Sequence, residues 1–83
     1  MDMLDKNAFR EKCRLLGAKI KYYRTIHGMN QTMLAEKLGI SYQYLSRIEC
    51  GKQSPSFFLL VQLADALDVD AAELVSGKEE RPF

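Results

Sequence analysis

The tightest constraint on this chain is a pair of short helical segments set end to end around Gly39. Asn30 suits a helix N-cap, because its side-chain oxygen can accept from a backbone amide of the first turn. Leu34, Ala35 and Leu38 follow at helical spacing over 31–38, and Gly39-Ile40 then breaks the pattern. Ser41 offers a second cap, to a helix over 42–50 whose inward residues are Leu45 and Ile48. Each segment is about two turns long, and isolated helices shorter than about 12–15 residues are marginal in water. The two must therefore pack on each other and on the rest of the chain. A turn of about three to four residues makes them cross steeply and leaves the N-terminal half of the second helix protruding. A protruding helix with a polar outer face can enter a DNA major groove.

The remaining segments supply what such a pair can pack on. A long helix is predicted over about 7–27, with Phe9, Leu16, Ile20 and Tyr23 as its apolar stripe. Gly17 lies inside it, where glycine costs about 1 kcal/mol against alanine unless close packing compensates. Ser56 caps a helix over 57–67 with Phe57, Leu60, Leu63, Ala64 and Leu67 inward, and Asp70 begins a last short helix over about 70–75 with Leu74 inward. Gly28, Gly39, Gly51 and Gly77 each follow a helical segment, where a residue free to take positive φ is favoured. No segment alternates with period two, so an all-helical fold is predicted. The ends, 1–6 and 76–83, are expected to be loose, leaving a single domain with its helical core over 7–75.

Composition bounds function. With 83 residues there is room for one modest core. No apolar run approaches the roughly 18–20 residues that span a bilayer, and the first residues lack the order of a secretory signal. The expectation is a soluble, cytoplasmic protein with no membrane partner. Cys13 and Cys50, with His27 as the lone histidine, assemble no standard zinc spacing, so no metal or cofactor is expected. The cysteines read as free thiols in a reducing compartment; a disulfide needs Cα atoms within about 7 Å. His27 at a helix end, no glycine-rich phosphate loop and no nucleophile paired with a base argue against an enzyme. Net charge is only +1, yet nine basic residues face three acids between Arg10 and Lys52, and six acids face two bases after it. Such a split can polarise a folded domain and leave one face suited to phosphate.

The run Gln31-Thr-Met-Leu34-Ala35-Glu-Lys-Leu-Gly39-Ile40-Ser41-Tyr-Gln-Tyr-Leu45-Ser46-Arg-Ile48-Glu49-Cys-Gly51-Lys52 closely resembles the Xre family of Cro/C1-type helix-turn-helix domains. Leu16-Gly17, Ile20 and Arg24 upstream, and Pro55, Leu63-Ala64, Ala66-Leu67 and Glu73-Leu74 downstream, fit the same family, so the likeness extends over about 15–75. The resemblance implies a compact five-helix, lambda-repressor-like domain that docks its third helix in the major groove of double-stranded DNA, usually as a symmetric dimer. It places Tyr42, Gln43, Ser46 and Arg47 on the outward face as base contacts, Gln43 suiting adenine and Arg47 guanine or a phosphate. It assigns phosphate contacts to Gln31, Thr32, Lys52 and, more weakly, Lys21, and it pairs Arg24 with Glu49 as a scaffold salt bridge. Arg10, Lys12, Arg14 and Lys19 read as a solvated face, and Tyr44 as packing over the turn.

One departure from the family pattern points elsewhere. Phe57-Phe58-Leu59-Leu60-Val61 is apolar all round its helix, more than a domain this small can bury. Phe58 and Leu59 are accordingly expected at a homodimer interface; the alternative is that the N-terminal extension folds over them through Leu4 or Phe9. The function expected is a sequence-specific regulator, a repressor, on a pseudo-palindromic operator. Only a short charged tail follows the last predicted helix, so control is expected from concentration, a partner, or the termini. The alternatives are an adaptor or an antitoxin on the same fold, with a protein partner held by the termini. An adaptor would need neither Gln43 and Arg47 on the third helix nor a basic patch beside it.

Overall fold

The structure is a computed structural model that describes residues 5–76, all of the regular elements among them helical. Five helices follow in order: α1 Lys6–Ile26, α2 Gln31–Leu38, α3 Tyr42–Glu49, α4 Phe57–Leu67 and α5 Ala71–Val75. Most boundaries follow from local capping chemistry. Asp5 accepts from the amides of Asn7 and Ala8, Asn30 from Met33, Ser41 from Tyr44 and Ser56 from Leu59, each at 2.8–3.4 Å. These bonds satisfy amide donors that a first helical turn leaves unpartnered. Asp70 holds the cap position of α5 without a side-chain cap bond. Gly39 ends α2 at φ 71, a conformation that costs glycine nothing and a Cβ-bearing residue about 1–2 kcal/mol. Asp68 bears that strain at the end of α4, at φ 58.

One apolar cluster joins all five helices. Ile20 of α1, Leu34 and Ala35 of α2, Leu45 and Ile48 of α3, Leu59, Leu63, Ala64 and Leu67 of α4, and Leu74 of α5 are all buried in it. Tyr44 packs against the cluster, half-buried. At the crossing of α1 and α3 the backbones nearly touch: a Cβ on Gly17 would lie 2.4 Å from the Glu49 carbonyl oxygen and 2.5 Å from that of Ile48. Close approach to α3 is thus the compensation for glycine inside α1.

Several expectations need correction. Phe57 is not inward; it is 77% exposed, and the inward stripe of α4 is Leu59, Leu63 and Leu67, spaced by four. Leu59 is consequently a core residue, 5% exposed, and no dimer-interface residue. An all-round apolar helix carries no phase in its sequence, and four-residue spacing from Leu63 puts Leu59 on the buried side. Phe9 is exposed as well. The buried stripe of α1 is Cys13, Gly17, Ile20 and Arg24, and Phe9 lies a turn before its start, at the mouth of a cleft lined by Leu16, Pro55, Leu60 and Val75.

Lys19 is not solvated. It is 3% exposed, and its ammonium donates to the Glu73 carbonyl at 2.9 Å, to Glu73 Oε2 at 3.3 Å and to Ser76 Oγ at 2.6 Å. It thereby ties α1 to the C-terminal end of α5, where a cation also complements the helix dipole. Of the ends expected to be loose, Asp5 and Lys6 begin α1 and Ser76 accepts from Lys19. Residues 1–4 and 77–83, with Leu4 and Gly77, lie outside the described residues.

Candidate nucleic-acid interface

α3 is an eight-residue helix with two unlike sides. Leu45, Ile48 and Glu49 are buried, whereas Tyr42, Gln43 and Arg47 are exposed and Ser46 is half-buried beside them. Positions 42 and 46, and 43 and 47, are one turn apart, so the four make a single face. That face carries a phenol, a carboxamide, a hydroxyl and a guanidinium. The carboxamide can donate to and accept from one adenine, and the guanidinium can donate twice to one guanine or phosphate.

What holds this face in place is a buried polar cluster behind it. Arg24 Nε donates to Glu49 Oε2 at 2.7 Å and Nη2 to Glu49 Oε1 at 2.8 Å, a bidentate pair between α1 and α3. Arg24 Nη1 donates to the Met29 carbonyl at 2.9 Å, closing the turn before α2. Gln31 Nε2 donates to Glu49 Oε1 at 3.0 Å. One carboxylate thus gathers α1, the start of α2 and the end of α3, fixing the angle at which α3 is presented. The Arg24 guanidinium is held above its ordinary pKa, first by its hydrogen bonds to Glu49, with burial opposing and the Glu49 charge assisting. No buried side-chain nitrogen or oxygen is left without a hydrogen-bond partner among the described residues.

Gln31 is therefore oriented from behind by Glu49 and sits half-buried at the first position of α2. Thr32 follows it, exposed. Lys52 stands exposed after α3, and Lys21 exposed on α1. Gln31 and Thr32 open α2, and a helix N-terminus offers amide donors and a dipole that favour an anion. His27 closes α1 with its Nε2 2.8 Å from the Leu67 carbonyl, at the end of α4. That bond employs the ring as a tie between helix ends. Phe57 and Phe58, with Val61, form an exposed apolar surface at the start of α4.

Both thiols are free, Cys13 buried and Cys50 exposed at the end of α3. No group of three or more potential metal-ligating side chains occurs among the described residues. No described helix is long and apolar enough to cross a membrane.

Sequence reasoning missed two functional supports. In sequence Gln31 offers only a phosphate contact, because its bond to Glu49 spans 18 positions. Lys19 looks solvated there, because its partners lie 54 and 57 positions away. Neither has a local signal.

Comparison with known proteins gives a consistent result. The helix-turn-helix family matches residues 20–74, from the middle of α1 to α5. The HTH-type transcriptional regulator y4dJ of Sinorhizobium fredii is 37% identical over 70 residues, 84% of this chain and 91% of its own length. The HTH-type transcriptional regulator SinR of Bacillus subtilis is 37% identical over 70 residues, 83% of this chain and 63% of its own. Among solved structures, the restriction-modification controller protein C.AhdI of Aeromonas hydrophila superposes with a TM-score of 0.71 at 31% identity, over 75% of this chain and 94% of its own. ClgR, the clp gene regulator of C. glutamicum, gives 0.72 at 30% identity, over 80% and 86%. A match across most of the described helices, with the α2–α3 pair and its presenting cluster intact, means that this chain belongs to the Cro/C1-type helix-turn-helix family of DNA-binding transcriptional regulators.

Proposed function

We propose that this regulator is a dimeric repressor that reads a pseudo-palindromic operator with α3 in the major groove. The observation that carries the reading is the two-sided α3: its inner residues are locked into the core and the Arg24–Glu49 pair, and Tyr42, Gln43 and Arg47 face outward. In this reading Gln43 and Arg47 read base edges, Ser46 and Tyr42 add shorter-range contacts, and Gln31, Thr32, Lys52 and Lys21 hold phosphates. Phosphate contacts fix register and orientation; base contacts supply specificity.

The apolar surface at the start of α4 supports the dimer. Phe57 and Phe58 are 77% and 73% exposed, and such a contiguous patch marks an interaction site rather than ordinary surface. A two-fold contact through Phe58, flanked by Phe57 and Val61, uses the same patch on both copies. Two α3 helices related in this way sit about 34 Å apart on successive major grooves of one face. A protein seated on both half-sites excludes other proteins from that DNA, which is the repressor sense. That y4dJ and SinR are HTH-type transcriptional regulators supports a regulatory role on DNA.

Selection of random duplexes against the full chain, with the mass of the complex measured by sedimentation, tests this. A pseudo-palindrome bound by two chains is the expected result. A single recovered half-site bound by one chain removes the dimer. A flat pool with steep salt dependence reduces the protein to phosphate binding. No binding at low salt overturns the regulator reading and leaves an adaptor.

A further inference from the structure

We propose that the N-terminal half of α1 is a second phosphate-gripping face, which extends the DNA footprint past the base pairs read by α3. The inference rests on the proposed mode of DNA binding and adds a site to it. Lys6, Arg10 and Arg14 recur every four residues along α1 and so stand on one side of it. All three are exposed, and the structure brings them to the same cleft as Lys52, in the segment that follows α3.

The contact that creates this cleft is backbone on backbone. Gly51 stands at φ 78, and a Cβ on it would lie 2.8 Å from the Arg14 Cα. The segment leaving α3 therefore lies against α1 at Arg14, with Lys52 next in the chain. The cleft has a volume of about 690 Å³. Four cations line it, and no carboxylate does among its described lining residues. The adjacent acids are engaged: Asp5 caps α1, and Glu11 accepts from Arg14 at 2.6 and 3.2 Å. The Arg14 hydrogen bonds hold the Glu11 carboxyl below its ordinary pKa. That pair fixes the Arg14 guanidinium on the rim and tempers its charge, so Lys6, Arg10 and Lys52 carry the larger share of the field.

The occupant follows from position. From Lys6 to Arg14 the helix rises about 12 Å, which matches the axial rise of about three to four nucleotide steps along one strand, at about 3.4 Å each. A duplex held by α3 continues beyond the end of that helix, where Cys50 and Lys52 join this cleft. Guanidinium and ammonium groups on an open face suit a backbone that passes across it. The stripe reads no bases, because phosphate contacts carry no sequence information directly.

The test compares the wild type with Lys6→Gln/Arg10→Gln on the selected operator, by fluorescence anisotropy over a range of salt. Lys12→Gln, on the same helix but outside this cleft, controls for net charge, and Arg10→Lys tests retention of the cation. Thermal unfolding of each variant is recorded alongside. With both cleft cations lost, the slope of log affinity against log salt falls by about 0.9 for each lost phosphate contact. Base preference stays unchanged, Lys12→Gln keeps the wild-type slope, and Arg10→Lys restores it at that position. On a duplex trimmed to the base-read segment, the double variant and the wild type bind alike. An unchanged slope for the double variant, or an equal loss per charge in Lys12→Gln, overturns the second face while wild-type binding leaves the operator reading standing. Failure of the wild type to bind any duplex overturns both.

Discussion

Gly17→Ala is the substitution that separates tertiary packing from helix propensity most sharply in this protein. On propensity alone, alanine in the middle of α1 gains about 1 kcal/mol. The structure predicts the opposite sign. The added Cβ would stand 2.4 Å from the Glu49 carbonyl oxygen and 2.5 Å from that of Ile48. Both are backbone atoms of α3, so no rotamer change relieves the contact. Non-bonded heavy atoms relax at about 3.5 Å, so α1 and α3 must part by about 1 Å at their crossing. Overpacking of this kind costs about 1–3 kcal/mol. The same separation lengthens the 2.7 and 2.8 Å bonds between Arg24 and Glu49, and charge-assisted bonds contribute about 1.5–3 kcal/mol. Against the propensity gain, the net loss is about 2–3 kcal/mol, a fall in Tm of roughly 10–25 °C for a domain of this size. Urea and thermal unfolding followed by circular dichroism measure it, with Ala18→Gly, exposed one residue along, as the propensity control at about 1 kcal/mol lost. A Gly17→Ala protein as stable as the wild type would refute the close crossing and the account of α3 presentation built on it.

Other substitutions probe the supports singly. Arg24→Ala leaves the Glu49 carboxylate buried with Gln31 as its remaining side-chain donor in the cluster, and should cost about 3–5 kcal/mol in urea unfolding. Because the Arg24 pKa is raised, its stabilisation is complete below the unfolded arginine's value and fades only as pH rises through the folded one. Stability between about pH 6 and 9 should therefore show no step that Arg24→Ala removes. Lys19→Met removes the donor that closes α5 and should cost about 1–3 kcal/mol; hydrogen exchange at 71–76 should rise more than in α2 and α3. Asp68→Gly relieves the left-handed conformation at the end of α4 and should raise stability by less than about 1 kcal/mol, since glycine also loosens the unfolded chain.

The elements readable from sequence were those specified by short-range chemistry. Asn30, Ser41 and Ser56 each cap an amide three residues on, and Gly39 ends α2 at positive φ, so α2, α3 and α4 could be bounded by inspection. The phase of α4 could not. Its first five residues are all apolar, and only packing into the common core separates buried Leu59 from exposed Phe57 and Phe58. Glycine inside α1 was legible as an anomaly, but its reason lies in the Glu49 and Ile48 carbonyls, more than thirty residues away. The roles of Lys19 and Gln31 likewise depend on non-local partners, 54 and 18 positions away. The outward face of α3 was set by the inward one, Leu45 and Ile48, which left 42, 43, 46 and 47 for solvent.

The most direct test of the central claim, base reading by α3, is a titration of the wild type, Arg47→Ala and Gln43→Ala against the selected operator with each base pair changed in turn. Loss of about 1–3 kcal/mol in affinity, with discrimination abolished at one position per half-site and kept elsewhere, is the result predicted for each variant. A uniform loss across all positions, or none at any, would contradict it.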